Sequence, residues 1–181
     1  MTDEIMTTEN GKPQAVIKIS PADLKDIDLL AWIIHRSFRD VAERFGLTPE
    51  NCPKHPSNYT PDWVKRDMDR GVTYFIAEAD GKPSGCVGME KPNSDMFYLE
   101  RLAVLPEKRR NGTGRILVNR VLAEAELDGA KRVGITIIAD QGELKAWYQK
   151  IGFIEGETKR FEHLPFRVSF MTRNVRIPPE S

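Results

Sequence analysis

The chain has 181 residues, of which 40% are hydrophobic and 30% charged, proportions typical of one soluble domain with enough apolar material to build a core. Lysine plus arginine and aspartate plus glutamate both number 27, so the formal net charge is zero. A neutral chain lacks the overall positive field that favours nucleic acid or an anionic membrane surface, and any anion site must therefore be local.

The sequence predicts neither export nor a membrane span. Residues 1–12 are polar and acidic, and no run of eighteen apolar residues occurs anywhere in the chain. We therefore expect a cytoplasmic protein without a membrane partner. Cys52 and Cys86 lie in different contexts of a chain without an export signal, and we expect both to be free thiols.

The first half of the chain predicts a strand followed by two helices. Residues 1–13 lack periodicity and are expected to form a flexible leader before a single domain over residues 14–175. Gln14 to Ile19 alternates apolar and polar residues like a strand, and from Leu24 to Phe45 apolar residues recur at steps of three and four, as in a helix. The proline-rich residues 47–61 predict a loop, and a short helix follows from Thr60 to Arg70.

The second half predicts a hairpin and then alternating strands and helices. Asp80-Gly81 between two β-rich segments is a strong hairpin signal. The predicted elements are, in order, strands over 72–79, 84–90 and 96–105, a helix from about Gly112 to Gly129, a strand over 132–139, a helix ending at Gly152, strands over 153–162 and 167–173, and a tail over 176–181. We predict an α/β (α+β) fold with a mixed, mostly antiparallel sheet of six to seven strands flanked by about four helices.

The most informative segment joins the strand over 96–105 to the following helix. It is basic, with Arg109, Arg110 and Arg115, and it carries Gly112 and Gly114 at the helix start. The first amides of a helix have no intrahelical partner and lie at the positive end of the helix dipole, so they bind phosphate well. Glycines let the backbone approach the phosphates, and arginines add charge-assisted hydrogen bonds. This segment therefore predicts an anion site.

Neither familiar nucleotide loop matches this segment. No Lys-Ser/Thr follows Gly114, which excludes the P-loop, and Leu117 stands where the dinucleotide motif requires its third glycine. The chain instead resembles the GCN5-related N-acetyltransferase (GNAT) superfamily, whose Gln/Arg-x-x-Gly-x-Gly/Ala signature is matched by Arg109-x-x-Gly112-x-Gly114. Residues 147–153 (Trp-Tyr-Gln-Lys-Ile-Gly-Phe) are similar to the family's Tyr-x-x-x-Gly-Phe. Gln141 stands where the family often has Asn.

The resemblance implies a sheet whose fourth and fifth strands splay apart, with acetyl-coenzyme A as co-substrate in the cleft between them. It implies that Gln141 contacts the cofactor arm. It also implies that the pantetheine binds the backbone at Leu102, Ala103 and Val104, and that the pyrophosphate binds the amides of Arg110, Asn111, Gly112, Thr113 and Gly114.

The resemblance also implies roles in proton transfer. An attacking amine must lose its ammonium proton, and the leaving thiolate must gain one. In the family the acid is usually the motif's tyrosine, which corresponds to Tyr148, and the base is often a glutamate on the fourth strand, which corresponds to Glu100. The residues themselves also allow other roles, because Tyr148 can be a packed core aromatic and Glu100 can pair with a cross-strand Lys or Arg.

Three other motifs carry weaker alternatives. Cys52 and His55 lack the further ligands of a metal site, so we expect no metal. Lys108-Arg109-Arg110 lacks interleaved aromatics, so we expect no nucleic-acid partner. His55, Asn58, Tyr59 and Trp63 are either contacts to the acceptor or parts of a proline-braced connection.

The sequence thus predicts an N-acetyltransferase that moves acetyl from acetyl-coenzyme A to a primary amine by direct attack in a ternary complex. The alternative is a non-catalytic module that binds or senses acyl-coenzyme A. The acceptor, a small-molecule amine or an amine of a peptide or protein, depends on residues 46–71 and 162–167. A monomer and a homodimer are both compatible with the sequence.

Overall fold

The computed structural model describes residues 3–5, as backbone, and residues 15–175. A short N-terminal strand, Asp3–Ile5, precedes seven longer strands: β1 Ile17–Pro21, β2 Thr73–Ala79, β3 Lys82–Glu90, β4 Met96–Val104, β5 Arg132–Ile138, β6 Ile154–Arg160 and β7 Arg167–Asn174. The helices are α1 Ile27–Phe45, α2 Pro61–Asp69, α3 Thr113–Leu127 and α4 Gly142–Lys150. Short 3-10 turns lie at Leu24–Asp26, Pro56–Asn58 and Pro106–Lys108.

One sheet contains all of these strands, in the order N-terminal strand, β1, β2, β3, β4, β5, β7, β6. Every neighbouring pair is antiparallel except β4 and β5, which run parallel. The predicted mixed, mostly antiparallel α/β fold with four helices is therefore confirmed.

The short N-terminal strand was not predicted. Asp3, Glu4 and Ile5 pair with Ile19, Lys18 and Ile17, and so extend the edge of the sheet within the segment expected to be a leader. Three residues are too few to show the alternation that identifies a strand. The remainder of the leader and the expected tail over 176–181 lie outside the described residues.

Helices cover both faces of the sheet, and each face has its own apolar core. The apolar side of α1, with Leu30, Ile33 and Ile34, packs with α2 against one face. On the other face α3 buries Leu117, Val118, Val121 and Ala125 together with residues of α4. Burying one such large aliphatic side chain stabilises the fold by roughly 1.5–3 kcal/mol, so each helix is held mainly by this packing.

The sheet opens between β4 and β5. Only Met96, Phe97 and Tyr98 pair with Arg132, Val133 and Gly134, whereas β5 pairs with β7 along its whole length. Beyond Tyr98 the two parallel strands therefore separate, which confirms the expected splay. Among the described residues, no helix is both long enough and apolar enough to span a membrane.

Candidate active site

A β-bulge interrupts β4 where it leaves β5. Glu100 pairs with Gly88 and Ala103 pairs with Cys86, so Arg101 and Leu102 together oppose the single residue Val87. Arg101 has a φ of 52°, a left-handed conformation that non-glycine residues rarely adopt and that costs on the order of 1–2 kcal/mol. Bulges redirect side chains and leave backbone groups unpaired, so this feature reshapes β4 beside the gap.

A cavity of about 320 Å³ fills the cleft that the splay opens. Its walls come from the splayed halves of β4 and β5, from α1, from the loop before α2, from α4, from the loop between β6 and β7 and from the start of β7. The lining residues are Phe38, Val41, Cys52, Lys54, His55, Pro56, Leu99, Arg101, Leu102, Ile135, Thr136, Ile137, Ile138, Gln141, Leu144, Tyr148, Leu164, Phe166 and Val168. The lining is mostly apolar with a few polar groups, as is common for small-molecule pockets.

The turn between β4 and α3 has the backbone that an anion site requires. Arg110 has a φ of 63° and Gly112, which caps α3, has a φ of 86°. The amides of Arg110, Asn111, Gly112, Gly114 and Arg115 have no hydrogen-bond acceptor within the part of the chain that the structure describes. These five donors are open to a ligand at the positive end of α3.

Thr113 is the exception among the turn amides. Its amide donates to the side-chain oxygen of Asn111 at 3.3 Å, and its hydroxyl donates to the same oxygen at 2.7 Å. Thr113 is also almost completely buried. Asn111 and Thr113 therefore hold the shape of the turn.

The Arg109 side chain lies away from the predicted phosphate position. Its guanidinium pairs with Asp40 of α1 at 2.5 Å and donates to the carbonyls of Ser37 at 2.7 Å and Val104 at 3.1 Å. Partial burial alone would raise the pKa of Asp40, but the hydrogen bond and charge of Arg109 lower it. Arg109 thus ties the turn to α1. We had expected its side chain to bind a phosphate, but in this arrangement the guanidinium is not directed towards one.

Arg115 lines a second, basic cavity of about 280 Å³ together with Asn119, Lys150, Ile151, Gly152 and Arg173. Arg173 is held there because it donates to the carbonyl of Ile151 at 2.7 Å. Lys150, Arg173 and Arg115 belong to three separate elements, so no sequence motif connects them. Together they supply positive charge close to the turn.

Tyr148 and Gln141 both line the main cavity, as the resemblance led us to expect of residues near the cofactor. Tyr148 is 4% exposed and packs edge-on against the rings of Trp147 and Phe153. Burial raises the pKa of its phenol, so the hydroxyl keeps its proton at neutral pH. Tyr148 is therefore both a core aromatic and a cavity residue.

The three residues expected to bind pantetheine through their backbone lie at and after the bulge. Leu102 lines the cavity, Ala103 is buried against the α1 core, and the Val104 carbonyl accepts the hydrogen bond from Arg109. A Cβ added at Gly114 would be tolerated sterically, since its nearest neighbour, the Trp147 ring, lies 3.5 Å away. Gly112 is the glycine that the turn requires, because its φ is positive.

Glu100 lies beside the cavity and does not belong to its lining. Its carboxylate pairs with Arg70, just after α2, at 3.1 Å, and Arg70 also pairs with Glu90 and Asp67. Burial and the neighbouring Glu90 raise the pKa of Glu100 to about 7, against the opposing charges of Arg101 and Arg70. The arginine that pairs with Glu100 thus lies just after a helix and not on a neighbouring strand.

The loop before α2 divides into structural residues and cavity residues. The Asn58 side chain donates to the carbonyl of Cys52 at 3.2 Å, while the Tyr59 hydroxyl donates to Asp67 and its ring contacts Trp63 edge-on. His55 instead lines the cavity with Cys52, Lys54 and Pro56. Burial, with a smaller effect of Arg101, lowers the pKa of His55 to about 4, so the imidazole is neutral.

Arg101 lines the cavity, although the sequence did not predict a role for it there. The signal was an arginine beside Glu100 in the middle of an otherwise apolar strand. An alternating strand would place such a residue on an ordinary face of the sheet, and only the bulge aims it at the cavity.

Comparison with known proteins identifies relatives of this architecture. Residues 34–153 match the family described as Acetyltransferase (GNAT) family. The ribosomal-protein-S18-alanine N-acetyltransferase of Escherichia coli superimposes with a TM-score of 0.71 at 18% identity, covering 91% of this chain and 97% of that one. The PaiA N-acetyltransferase of Thermoplasma acidophilum, in complex with coenzyme A, gives 0.70 at 16% identity, with 87% and 98% covered. YncA of Salmonella typhimurium, with its cofactor acetyl-CoA, gives 0.64 at 16%, with 91% and 96% covered.

Proposed function

The chain belongs to the GNAT family of acetyltransferases, and from this premise we propose that it transfers acetyl from acetyl-coenzyme A to a primary amine by direct attack in a ternary complex. One observation carries the proposal. The cavity in the splayed cleft is lined by Tyr148, Gln141 and Leu102, and β4 leads directly from this cavity to a turn of unpaired amides.

The donor end of the cleft fits the phosphates of acetyl-coenzyme A. Five amides between Arg110 and Arg115 lack acceptors among the described residues, which is the condition that a bound pyrophosphate satisfies. The Leu102–Val104 backbone and Gln141 would hold the pantetheine arm. Arg115 would add charge to the phosphates from the basic cavity. Among structural neighbours, PaiA carries coenzyme A and YncA carries acetyl-CoA, in agreement with this assignment.

Tyr148 supplies the proton that the reaction needs on the leaving side. The thiolate of a thiol with a pKa of about 8.5 departs more easily when a neutral acid lies beside it. Because burial raises the pKa of Tyr148, its hydroxyl is protonated and can donate in the apolar cavity. The packing of Tyr148 against Trp147 and Phe153 holds the ring in one orientation.

Glu100 is proposed as the base that takes the ammonium proton. A pKa near 7 lets its carboxylate accept a proton at physiological pH and release it again to solvent. Since Glu100 is not among the lining residues, it would act through a water at the β4 bulge. Arg70 holds the carboxylate in place from the α2 side.

The reaction is tested by following coenzyme A release and acetyl-coenzyme A binding in parallel with a panel of amines. We expect saturable thiol release that depends on the amine, and N-acetylated product in equal amount. Tight binding of acetyl-coenzyme A without acetylation of any amine would instead favour the non-catalytic module. Tyr98→Phe, a change at a partly exposed tyrosine of β4, serves as the control for Tyr148→Phe.

A further inference from the structure

The acceptor side of the cavity contains cations and no carboxylate. Arg101 and Lys54 are its charged lining residues, and the described residues that line it include neither Asp nor Glu. An amine that is also a polycation, such as a polyamine or an aminoglycoside, would need acidic residues to offset its charge. The charge of this wall therefore suits an acceptor with a negative group.

Arg101 is a mostly buried cation without a matching anion. Its Nε is buried and has no hydrogen-bond partner, and within the described part of the chain its guanidinium forms no ion pair with a carboxylate. The neighbouring Glu100 is already paired with Arg70, and the Tyr59 ring lies 5.1 Å from the Arg101 guanidinium. A buried guanidinium with an unused donor is costly unless a ligand completes it.

The backbone adds to this cost. Arg101 occupies a left-handed conformation that glycine or asparagine would adopt with less strain. The bulge thus places the longest cationic side chain at a position where a smaller residue would fit the backbone better. Strain of this kind is commonly retained at ligand sites.

His55 adds a polar group to the same wall. The amide of Ser57 donates to its Nδ1 at 3.2 Å, so the neutral ring carries its hydrogen on Nε2. Apolar residues of α1 and of the β6–β7 loop, namely Phe38, Val41, Leu164 and Phe166, complete the surroundings. A volume of about 320 Å³, near the lower end of the range for small-molecule pockets, suits a small acceptor.

Resting on the proposed acetyl transfer, we propose that the acceptor is a free amino acid with an apolar side chain, whose carboxylate binds the Arg101 guanidinium while its amine faces Tyr148. The positive charge of Arg101 and Lys54 also favours the neutral amine over the ammonium, which eases deprotonation before attack.

The test offers apolar amino acids in three matched forms, as free acid, amide and decarboxylated amine. With the wild-type protein and acetyl-coenzyme A, we expect kcat/KM for the free acid to exceed that for the amide by on the order of 100-fold. Arg101→Gln should remove most of this preference, mainly through the KM for the free acid, and Arg101→Lys should restore part of it. Arg39→Gln, on the exposed side of α1, is the matched control and should keep the preference.

Equal rates for acid and amide, or a best acceptor that is a polyamine, would overturn the inference. A preference for succinyl- over acetyl-coenzyme A would also overturn it, because Arg101 would then bind the acyl group of the donor.

A binding measurement separates this inference from the proposed reaction. Titration of leucine and leucinamide into protein saturated with coenzyme A should show tighter binding of leucine that Arg101→Gln abolishes. If this binding difference occurs without any turnover, the proposed reaction fails and the carboxylate site stands. If turnover occurs without the binding difference, the reaction stands and the carboxylate site fails.

Discussion

The two ends of the cleft are built on different principles. At the β4–α3 turn the groups proposed to bind the ligand are backbone amides, and the positive φ of Gly112 and the anchoring of Arg109 to α1 hold the turn in shape. In the cavity most of the proposed contacts are side chains, contributed by seven separate parts of the chain. A backbone site recognises a chemical group common to many ligands, whereas a side-chain site selects one ligand. Under the proposed function, the turn binds the donor, and the cavity holds the reacting groups and the acceptor.

The largest expected effect separates chemistry from donor binding. Tyr148→Phe removes the proton donor and leaves the ring packing intact, so kcat should fall by roughly 10²- to 10⁴-fold. The dissociation constant for acetyl-coenzyme A, measured by calorimetry, should change little, and Tyr98→Phe should keep the wild-type rate. Unchanged turnover in Tyr148→Phe would leave Tyr148 with a packing role only.

Gly112→Leu should have the reverse effect, a loss of donor binding while the groups proposed for the chemistry stay in place. A side chain at a φ of 86° strains the turn and covers the free amides, so the dissociation constant for acetyl-coenzyme A should rise about 100-fold. Gly129→Leu is the matched control, because Gly129 has a φ of 77° at the other end of the same helix and is equally open. Equal binding losses in both variants would show that strain alone, and not the loss of ligand contacts, is responsible.

The pKa of His55 tests whether the acceptor side of the cavity is buried. Its pKa is about 4 in the folded protein and about 6.5 in the unfolded chain, so the unfolded chain binds the extra proton between these values. The stabilising contribution is present above pH 6.5 and is lost as the pH falls towards 4, by about 3 kcal/mol.

This contribution is measured as the difference in the free energy of unfolding between wild type and His55→Gln, from urea titrations at pH values from 4 to 8. The difference cancels the opposite contribution of Glu100, whose raised pKa makes stability fall as the pH rises from about 4.5 to 7. A difference that does not depend on pH would contradict the buried, neutral imidazole.

Glu100→Gln sharpens the assignment of the base. The wild-type kcat/KM should rise as Glu100 loses its proton at a pH near 7, which gives the pH–rate profile a rising limb. Glu100→Gln should lack this limb and be about 10-fold slower at pH 8. Glu90→Gln is the informative partner, because Glu90 raises the pKa of Glu100. It should shift the limb to lower pH and keep the plateau rate. A wild-type limb retained in Glu100→Gln would assign the base elsewhere.

The smallest effect concerns the anchoring of the turn. Arg109→Gln removes a half-exposed ion pair with Asp40 and hydrogen bonds to two carbonyls, so the free energy of unfolding should fall by about 1 kcal/mol. Donor affinity should fall only a few-fold, and Asp40→Asn should behave similarly. A loss of donor binding as large as that in Gly112→Leu would mean that the Arg109 side chain contacts the phosphates.

The parts of the site that could be predicted from sequence are those determined by local chain geometry. Gly112 lies at a helix start and Tyr148 lies in a helix next to a glycine, so short motifs identify both. The resemblance that these motifs carry implied the splay, and apolar periodicity with turn residues predicted the strands and helices themselves.

The parts that could not be predicted depend on contacts between distant elements. Arg109 was assigned to phosphate because its neighbours in sequence are basic, yet Asp40, sixty-nine residues away, pairs with it. Arg101 reaches the cavity only because a bulge shifts the register of β4, and a bulge at a non-glycine residue has no short sequence signature. The short N-terminal strand likewise depends on pairing with β1.

The most direct test of the account is a mass-spectrometric balance of one reaction, with acetyl-coenzyme A and a panel of free amino acids, for the wild type and for Tyr148→Phe. We predict that the wild type forms one N-acetylated product for each coenzyme A released, and that Tyr148→Phe binds acetyl-coenzyme A normally but forms almost none. Coenzyme A release without N-acetylated product, or equal product from both proteins, would contradict the assignment of this cleft as an amine acetyltransferase site.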